Sequence, residues 1–410
     1  MSSLTRPRGL VWLLATLAAF SPLSIDTYLP SLPDIARDLG TQDARVQLTI
    51  GVFLAGLCSG MLLYGPLSDR YGRRRLLLGS LVLYILASLG CIWVASVEQL
   101  IVLRFVQAVG GAGALVLART VVRDLFPLSE AARVLSLMHV IAMVATLLAP
   151  ILGTYLVLLG GWRTIFVMLS LLGGACLLAV TTSLQESLPA DARTRSVLAS
   201  FIHYGAVLRD PLALCYILAM GLSVGGMFAF ITASPFLFIH HFGFSPRAFS
   251  LLFGLNILGI ILATVINARL VRRLGPLQML GVGSAVAACA GALLIVIGLA
   301  GWGQPFSITV GVLLFMGISG LIGANCIASL MSLFPGNAGA AVGLGISLQF
   351  ACGALFSWVV SALADGTARP MCLVIGFAGL GSLACYRAIR HQLRKPRRAE
   401  LYRALAGNGN

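Results

Sequence analysis

The chain has 410 residues, 59% of them hydrophobic and only 10% charged, with a mean hydropathy of +0.98. A water-soluble domain carries about 25% charged residues, so this composition excludes a soluble enzyme or soluble binding module and describes a polytopic membrane protein. The formal net charge of +15 raises the possibility of nucleic-acid binding, which the placement of the charges argues against below.

Apolar segments recur along the chain at roughly the length of ~20 residues that a helix needs to cross a bilayer. They are placed at 10–29, 46–64, 76–95, 100–122, 134–159 and 165–183, then at 212–236, 248–267, 277–300, 306–333, 338–362 and 370–388. None alternates as a barrel strand would, so each is read as a helix, which satisfies its backbone groups internally. Arg6 and Arg8 precede the first segment as they would in a signal peptide. The run is too long for one and carries Asp26, so it is read as a retained span. The nine cysteines all fall in apolar spans without a CxxC pair and read as small packing residues, not as a disulfide or zinc framework.

The longest interior polar segment runs from Gln185 to Asp210 and holds Glu186, Asp191, Arg193, Arg195, Arg209 and Asp210. It divides the chain into a six-helix bundle (1–184), a linker (185–210), a second six-helix bundle (211–388) and a basic tail (389–410). Phe201, Tyr204 and Leu208 in the linker suggest a short interfacial helix. Of the 28 basic residues, 21 fall on one side if the N-terminus is cytoplasmic, five on the other, and Arg104 and Arg119 inside the fourth span. That bias predicts cytoplasmic termini. It explains the net charge as topology and lipid-headgroup contact, and no nucleic-acid partner is expected.

Two equal halves suggest an internal repeat. Gly65-Pro66-Leu67-Ser68-Asp69-Arg70-Tyr71-Gly72 between spans two and three aligns with Ala268-Arg269-Leu270-Val271-Arg272-Arg273-Leu274-Gly275 between spans eight and nine. Leu67, Arg70 and Gly72 match Leu270, Arg273 and Gly275, whereas Asp69 has become Arg272. The second copy keeps the turn and loses the acid.

The stretch Ser24–Pro33 (SIDTYLPSLP) closes the first span. A carboxylate at the centre of a span costs roughly 2.5–3.5 kcal/mol on insertion scales, less nearer its end. Among 13 acidic residues, Asp26 alone lies at such depth. Pro30 and Pro33 are expected to end the helix just beyond it. Arg104 lies a similar distance inside the outer end of the fourth span, which runs the other way, so the two charges are expected at matching depth. Burial and a neighbouring guanidinium act in opposite senses on such a carboxylate, which suits a proton-coupling site. A static ion pair is the alternative.

These motifs resemble those of a known family. Gly65–Arg74 (GPLSDRYGRR) resembles the loop signature of the major facilitator superfamily. Arg104-Phe105-Val106-Gln107 with Gly110 resembles the fourth-helix signature of its proton-driven drug exporters, with Ala108 at a usual glycine. Ala149-Pro150-Ile151-Leu152-Gly153 resembles the fifth-helix antiporter motif, with Ala149 and Thr154 where glycines are typical. Ser24–Pro33, Gly161-Trp162-Arg163 with Phe166, and Gly226-Met227-Phe228 through Ser234-Pro235-Phe236 resemble the bicyclomycin/chloramphenicol-resistance (Bcr/CflA) branch.

The resemblance implies an all-α integral membrane protein of twelve transmembrane helices in two pseudo-symmetric six-helix bundles, the major facilitator fold. It implies proton-coupled export of drug-like molecules across a bacterial inner membrane, with Asp26 and Arg104 as the coupling pair. It also implies a cytoplasmic latch of Gly65, Asp69, Arg70, Gly72 and Arg73, with Asp69 facing the start of the eleventh helix near Gly336. Pro150 and Gly153 would form a hinge, for which a plain helix kink is the alternative. Tyr28, Gln107, Met227, Phe228, Phe230, Asn256 and Asn325 are expected to line the substrate cavity, since drug pockets are mostly apolar with a few polar groups. The aromatics and amides could equally be packing residues and interhelical hydrogen bonds. Expected partners are a drug-like small molecule, protons and membrane lipids, with the chain as a monomer. No cofactor, metal or catalytic residue is expected. The spans offer no nucleophile–base pair, carboxylate dyad or nucleotide loop. A permease for a small metabolite is the competing function.

Overall fold

The computed structural model describes residues 8–189, 197–301 and 304–394. They form sixteen α-helices and, among the described residues, no strand. The first eight are α1 (Arg8–Ala18), α2 (Phe20–Asp26), α3 (Leu32–Asp38), α4 (Asp43–Tyr71), α5 (Arg73–Ile92), α6 (Val97–Leu125), α7 (Leu128–Gly160) and α8 (Arg163–Ser183). There follow α9 (Val197–Arg209), α10 (Pro211–Pro235), α11 (Pro246–Leu274), α12 (Pro276–Ala300), α13 (Phe306–Gly317), α14 (Ser319–Leu333), α15 (Ala338–Ala362) and α16 (Arg369–Leu393). Eleven stretches are long and apolar enough to cross a membrane, and a twelfth is counted if the first, bent pair is one span.

That pair bends by 43° between Ala18 and Phe20. The cause is Pro22, which has no N–H for the Ala18 carbonyl and whose ring crowds it. The helix end also differs from expectation. α2 stops at Asp26, a single 3-10 turn follows over Leu29–Ser31, and Pro33 then sits in the first turn of α3. Pro33 therefore starts a helix rather than ending one, because a missing N–H costs nothing in a first turn. In the linker, α9 forms where Phe201, Tyr204 and Leu208 suggested a helix, with the Phe201 and Tyr204 rings edge to face.

The chain divides into two compact units, one of Met1–Leu198 with Phe238–Gly254 and one of Ala199–Leu237 with Leu255–Asn410. In the first, α6 is central, packing on α4 and α5, while α8 backs α5 and α7 runs along α1 and α2. The first turns of α11 belong here too. In the second, α10 packs between α15 and α16, and α12 lies on α16 and α14.

The repeat is visible in the backbone. Gly72 joins α4 to α5 at φ 94° and Gly275 joins α11 to α12 at φ 80°. Both turns need a positive φ that only glycine adopts without strain. The geometry of the turn is thus kept in both halves, although Asp69 and Arg272 differ in charge.

Candidate functional site: a caged arginine and a separate buried carboxylate

The polar centre of the first unit is built around Arg104, whose side chain is fully buried. It donates from Nη1 to Oε1 of Gln107, one turn on, at 2.6 Å, and from Nη2 to the backbone carbonyl of Ser24 at 3.0 Å. Its guanidinium lies over the rings of Phe53, at 4.2 Å, and Tyr28, at 4.6 Å, with Phe166 at 5.9 Å. Aromatic faces stabilise a cation while excluding water, so the cage replaces much of the hydration that Arg104 loses. Among the described residues its Nε–H has no hydrogen-bond partner.

Further hydroxyls fix the cage. Gln107 donates to Ser88 Oγ at 2.7 Å, and Ser88 donates to the Tyr84 carbonyl. The Tyr84 hydroxyl meets Ser24 Oγ at 2.6 Å, and the Tyr28 hydroxyl meets Thr49 Oγ1 at 3.0 Å. Five helices contribute: α2 with the turn after it, then α4, α5, α6 and α8. Tyr28, Arg104 and Gln107, expected near one another, come together here. Ser24, Thr49, Phe53, Tyr84 and Ser88 complete the centre unannounced. Their signal was serine and tyrosine recurring at i, i+4 within apolar spans, as in Tyr84 and Ser88.

Asp26 lies apart from this network. It is buried, and its side chain is hydrogen-bonded with that of Thr146 of α7, whose hydroxyl also donates to the Ala142 carbonyl at 3.0 Å. Among the described residues no ion pair links it to Arg104, which holds α2 through the Ser24 carbonyl instead. Residues two apart on a helix face different ways, so a grip on Ser24 and Tyr28 turns Asp26 toward α7. Thr146 also stands four residues before Pro150, which lacks the N–H that would bond the Thr146 carbonyl.

α7 remains a continuous helix through Pro150. The Pro150 carbonyl accepts from the hydroxyls of Thr154, at 3.0 Å, and Ser250 of α11, at 3.1 Å, and those two hydroxyls are themselves 3.0 Å apart. Gly153 lies against the backbone carbonyl of Thr27, leaving no space for a Cβ. Thr154, where a glycine is typical, thus serves as a hydroxyl link.

Gly161-Trp162-Arg163 ties one end of the unit together. Arg163 Nη1 and Trp162 Nε1 both donate to Asp38 Oδ2, at 2.6 and 3.1 Å, and Arg163 Nε donates to the Ile92 carbonyl. One turn on, Phe166 reaches the arginine cage, with Trp162 edge-on at 6.0 Å.

At the opposite end, Arg73 is buried between two acids, Asp69 Oδ1 at 2.6 Å from Nη1 and Asp124 Oδ2 at 3.1 Å from Nε, and it also donates to Ser68. Glu186 accepts from the backbone N–H groups of Arg73 and Arg74, capping the positive end of α5. Arg70 instead stacks over Tyr71. Asp69, Gly72 and Arg73 are therefore adjoining parts of one junction, to which Asp124 and Glu186 belong although sequence reasoning did not include them.

In the second unit, Phe228 packs against Phe350 with ring centroids 6.2 Å apart, and Phe230 is buried. Met227 Sδ is 4.0 Å from the Ser319 hydroxyl. Asn325 donates to Asn267 Oδ1 at 2.9 Å and to its own helix at Leu321 O, so its amide hydrogens are committed to packing. Asn256 is buried on α11.

A profile of the Major Facilitator Superfamily matches residues 14–357. The chain belongs to that superfamily. This facilitator is 34% identical over 382 residues to the uncharacterized MFS-type transporter YdgK of Bacillus subtilis, covering 92% of this chain and 94% of that one. It is 32% identical to a bicyclomycin resistance protein homolog of Haemophilus influenzae, covering 91% of this chain and 94% of that protein. The resemblance carried by the helix motifs is thereby borne out. Among solved structures, the facilitator superposes on a peptide transporter with a TM-score of 0.74 at 14% identity, covering 98% of this chain and 97% of that one. At that identity the likeness concerns the fold, and it bears out the all-α facilitator architecture.

Proposed function

We propose that this facilitator is a proton-coupled exporter of drug-like molecules in a bacterial inner membrane, monomeric and with both termini cytoplasmic. The observation that carries this reading is Asp26. It is a carboxylate buried within an apolar span which, among the described residues, has Thr146 as its hydrogen-bond partner and no ion pair with the caged arginine. An intramembrane acid without a counter-ion is costly and marks an ion or proton pathway. Among the described residues the Nε–H of Arg104 has no partner and is available to a ligand or to Asp26 as the centre rearranges. The bicyclomycin-resistance name of a relative supports a drug-like cargo. One buried acid set against the buried Arg104 disfavours multivalent cations, since like charge and desolvation both oppose them. Neutral, zwitterionic or weakly acidic compounds are the expected substrates.

The test combines a drug-susceptibility panel, run with and without the gene, with proton release from inverted vesicles on substrate addition. The reading predicts raised resistance to at least one neutral or zwitterionic antibiotic and substrate-dependent proton movement. Asp26→Asn should abolish both. Undiminished uphill export by Asp26→Asn would overturn the coupling assignment.

A further inference from the structure

The cytoplasmic-side end of α16, as the positive-inside bias places it, holds a recess of about 250 Å³ lined by Leu383, Tyr386, Arg387, Arg390, His391 and Arg394. Arg37, Arg45, Arg73 and Arg163 all pair with carboxylates. By contrast, among the described residues none of Arg387, Arg390 and Arg394 has a carboxylate within ion-pair distance. Three like charges converge on one hollow without a counter-ion among the described residues.

The helix end that carries them is held in place. Ile389 is buried, Gln392 Nε2 reaches Cys215 Sγ of α10 at 3.7 Å, and the Tyr386 ring packs where a side chain at Gly281 of α12 would be. The helix that presents the three arginines is therefore already in place to accept a ligand.

The surface leading to the recess decides what that ligand is. Phe377, Leu380, Ala384, Arg387, His391 and Arg394 follow one another in steps of three and four, which places them on one helix face. Phe377 is 67% exposed and Leu380 42%. An exposed apolar strip thus runs along the helix into an arginine cluster, and at 1.5 Å per residue the distance from Phe377 to Arg387 is about 15 Å. A free anion would use only the cluster, whereas a phospholipid uses both parts, with its acyl chain on the strip and its phosphate among the guanidiniums. Arg269, Arg272 and Arg273 at the end of α11 are equally without an ion pair among the described residues and serve as the comparison cluster.

We infer that the Arg387–Arg390–Arg394 recess binds the headgroup phosphate of an anionic phospholipid, whose acyl chain lies along Phe377 and Leu380. Guanidinium forks suit phosphate oxygens bidentately. Basic residues close to an anionic leaflet each add several-fold in affinity, so three together amount to roughly a hundredfold.

The test is native mass spectrometry of the full chain in detergent with phosphatidylglycerol or phosphatidylcholine of the same acyl chains. Wild-type protein should retain phosphatidylglycerol at least about tenfold better. The variant carrying Arg387→Gln, Arg390→Gln and Arg394→Gln should lose that preference. Removing the same charge elsewhere, with Arg269→Gln, Arg272→Gln and Arg273→Gln, should leave it intact. Excess inorganic phosphate should not displace the lipid. An unchanged preference in the α16 variant, equal loss in both variants, or displacement by phosphate alone would each overturn the assignment. If the α16 variant cannot be purified, Arg390→Gln alone should lower retention several-fold, and no loss there would count against the site equally.

Discussion

Thr146 is hydrogen-bonded through its side chain to the buried carboxylate of Asp26, and its own backbone carbonyl faces the proline that cannot donate to it. A buried acid is therefore coupled to α7 at the point where the hydrogen-bond ladder of that helix is interrupted. A hydrogen bond to a charged group is worth about 1.5–3 kcal/mol. Thr146→Val should cut proton-driven export on the order of tenfold while leaving expression intact, and Thr146→Ser should restore it. Vesicle transport assays on the two variants decide the point. Equal rates for valine and serine would remove Thr146 from the mechanism.

Arg104 holds the Ser24 carbonyl and, among the described residues, makes no ion pair with Asp26, so neutralising both charges together should give no rescue. Asp26→Asn combined with Arg104→Gln is expected to be as inactive as the worse single variant. Arg104→Lys should also fail, because a lysine cannot fork to Gln107 and Ser24 at once. A rescued double variant in the same transport assay would show that the two charges matter only to each other.

Position 153 should accept no side chain. Overpacking a well-filled site costs typically about 1–3 kcal/mol, and here the obstacle is the backbone at Thr27, which cannot rotate away. Gly153→Ala should lower thermal stability in detergent and depress transport. Thr154→Gly removes hydroxyl bonds without adding volume and should be milder. The reverse order would mean that the α2–α7 contact is loose in the working protein.

The Arg73 junction makes a graded prediction. Removing one partner of a fully buried ion pair costs roughly 3–5 kcal/mol. Arg73→Gln should cost less than that, because it unpairs Asp69 and Asp124 but Asp124 keeps the Ser187 hydroxyl and both acids are partly exposed. Asp69→Asn leaves Arg73 paired with Asp124. Asp69 is itself 40% exposed, so its loss should cost far less stability. If Asp69 is a moving latch, Asp69→Asn should still reduce transport while melting stays close to wild type. Thermal unfolding and transport, measured on both variants, separate the structural from the conformational role.

Hydropathy made the spans legible. Proline placement did not fix their ends, since Pro33 starts a helix where one was expected to end. The Gly65–Arg74 pattern marked a turn without showing that Asp124 and Glu186 complete it. The matched depth of Asp26 and Arg104 was legible only as height along the membrane. Height carries no information about which way a side chain turns around its helix, and that angle separates the two residues. It was present in the register, since Ser24 and Tyr28 are one turn apart and Asp26 falls between them. Pro22 shows a different limit. A proline inside an apolar run reads as tolerated, and only packing shows that it bends the span. Glu186 read as a linker charge because nothing in its neighbourhood says that it caps a helix more than a hundred residues earlier.

The grip of Glu186 on the start of α5 ties the chain that leaves α8 at Ser183 back to a turn made more than a hundred residues earlier. The first turn of α5 therefore receives its carboxylate only after α8 has been synthesised.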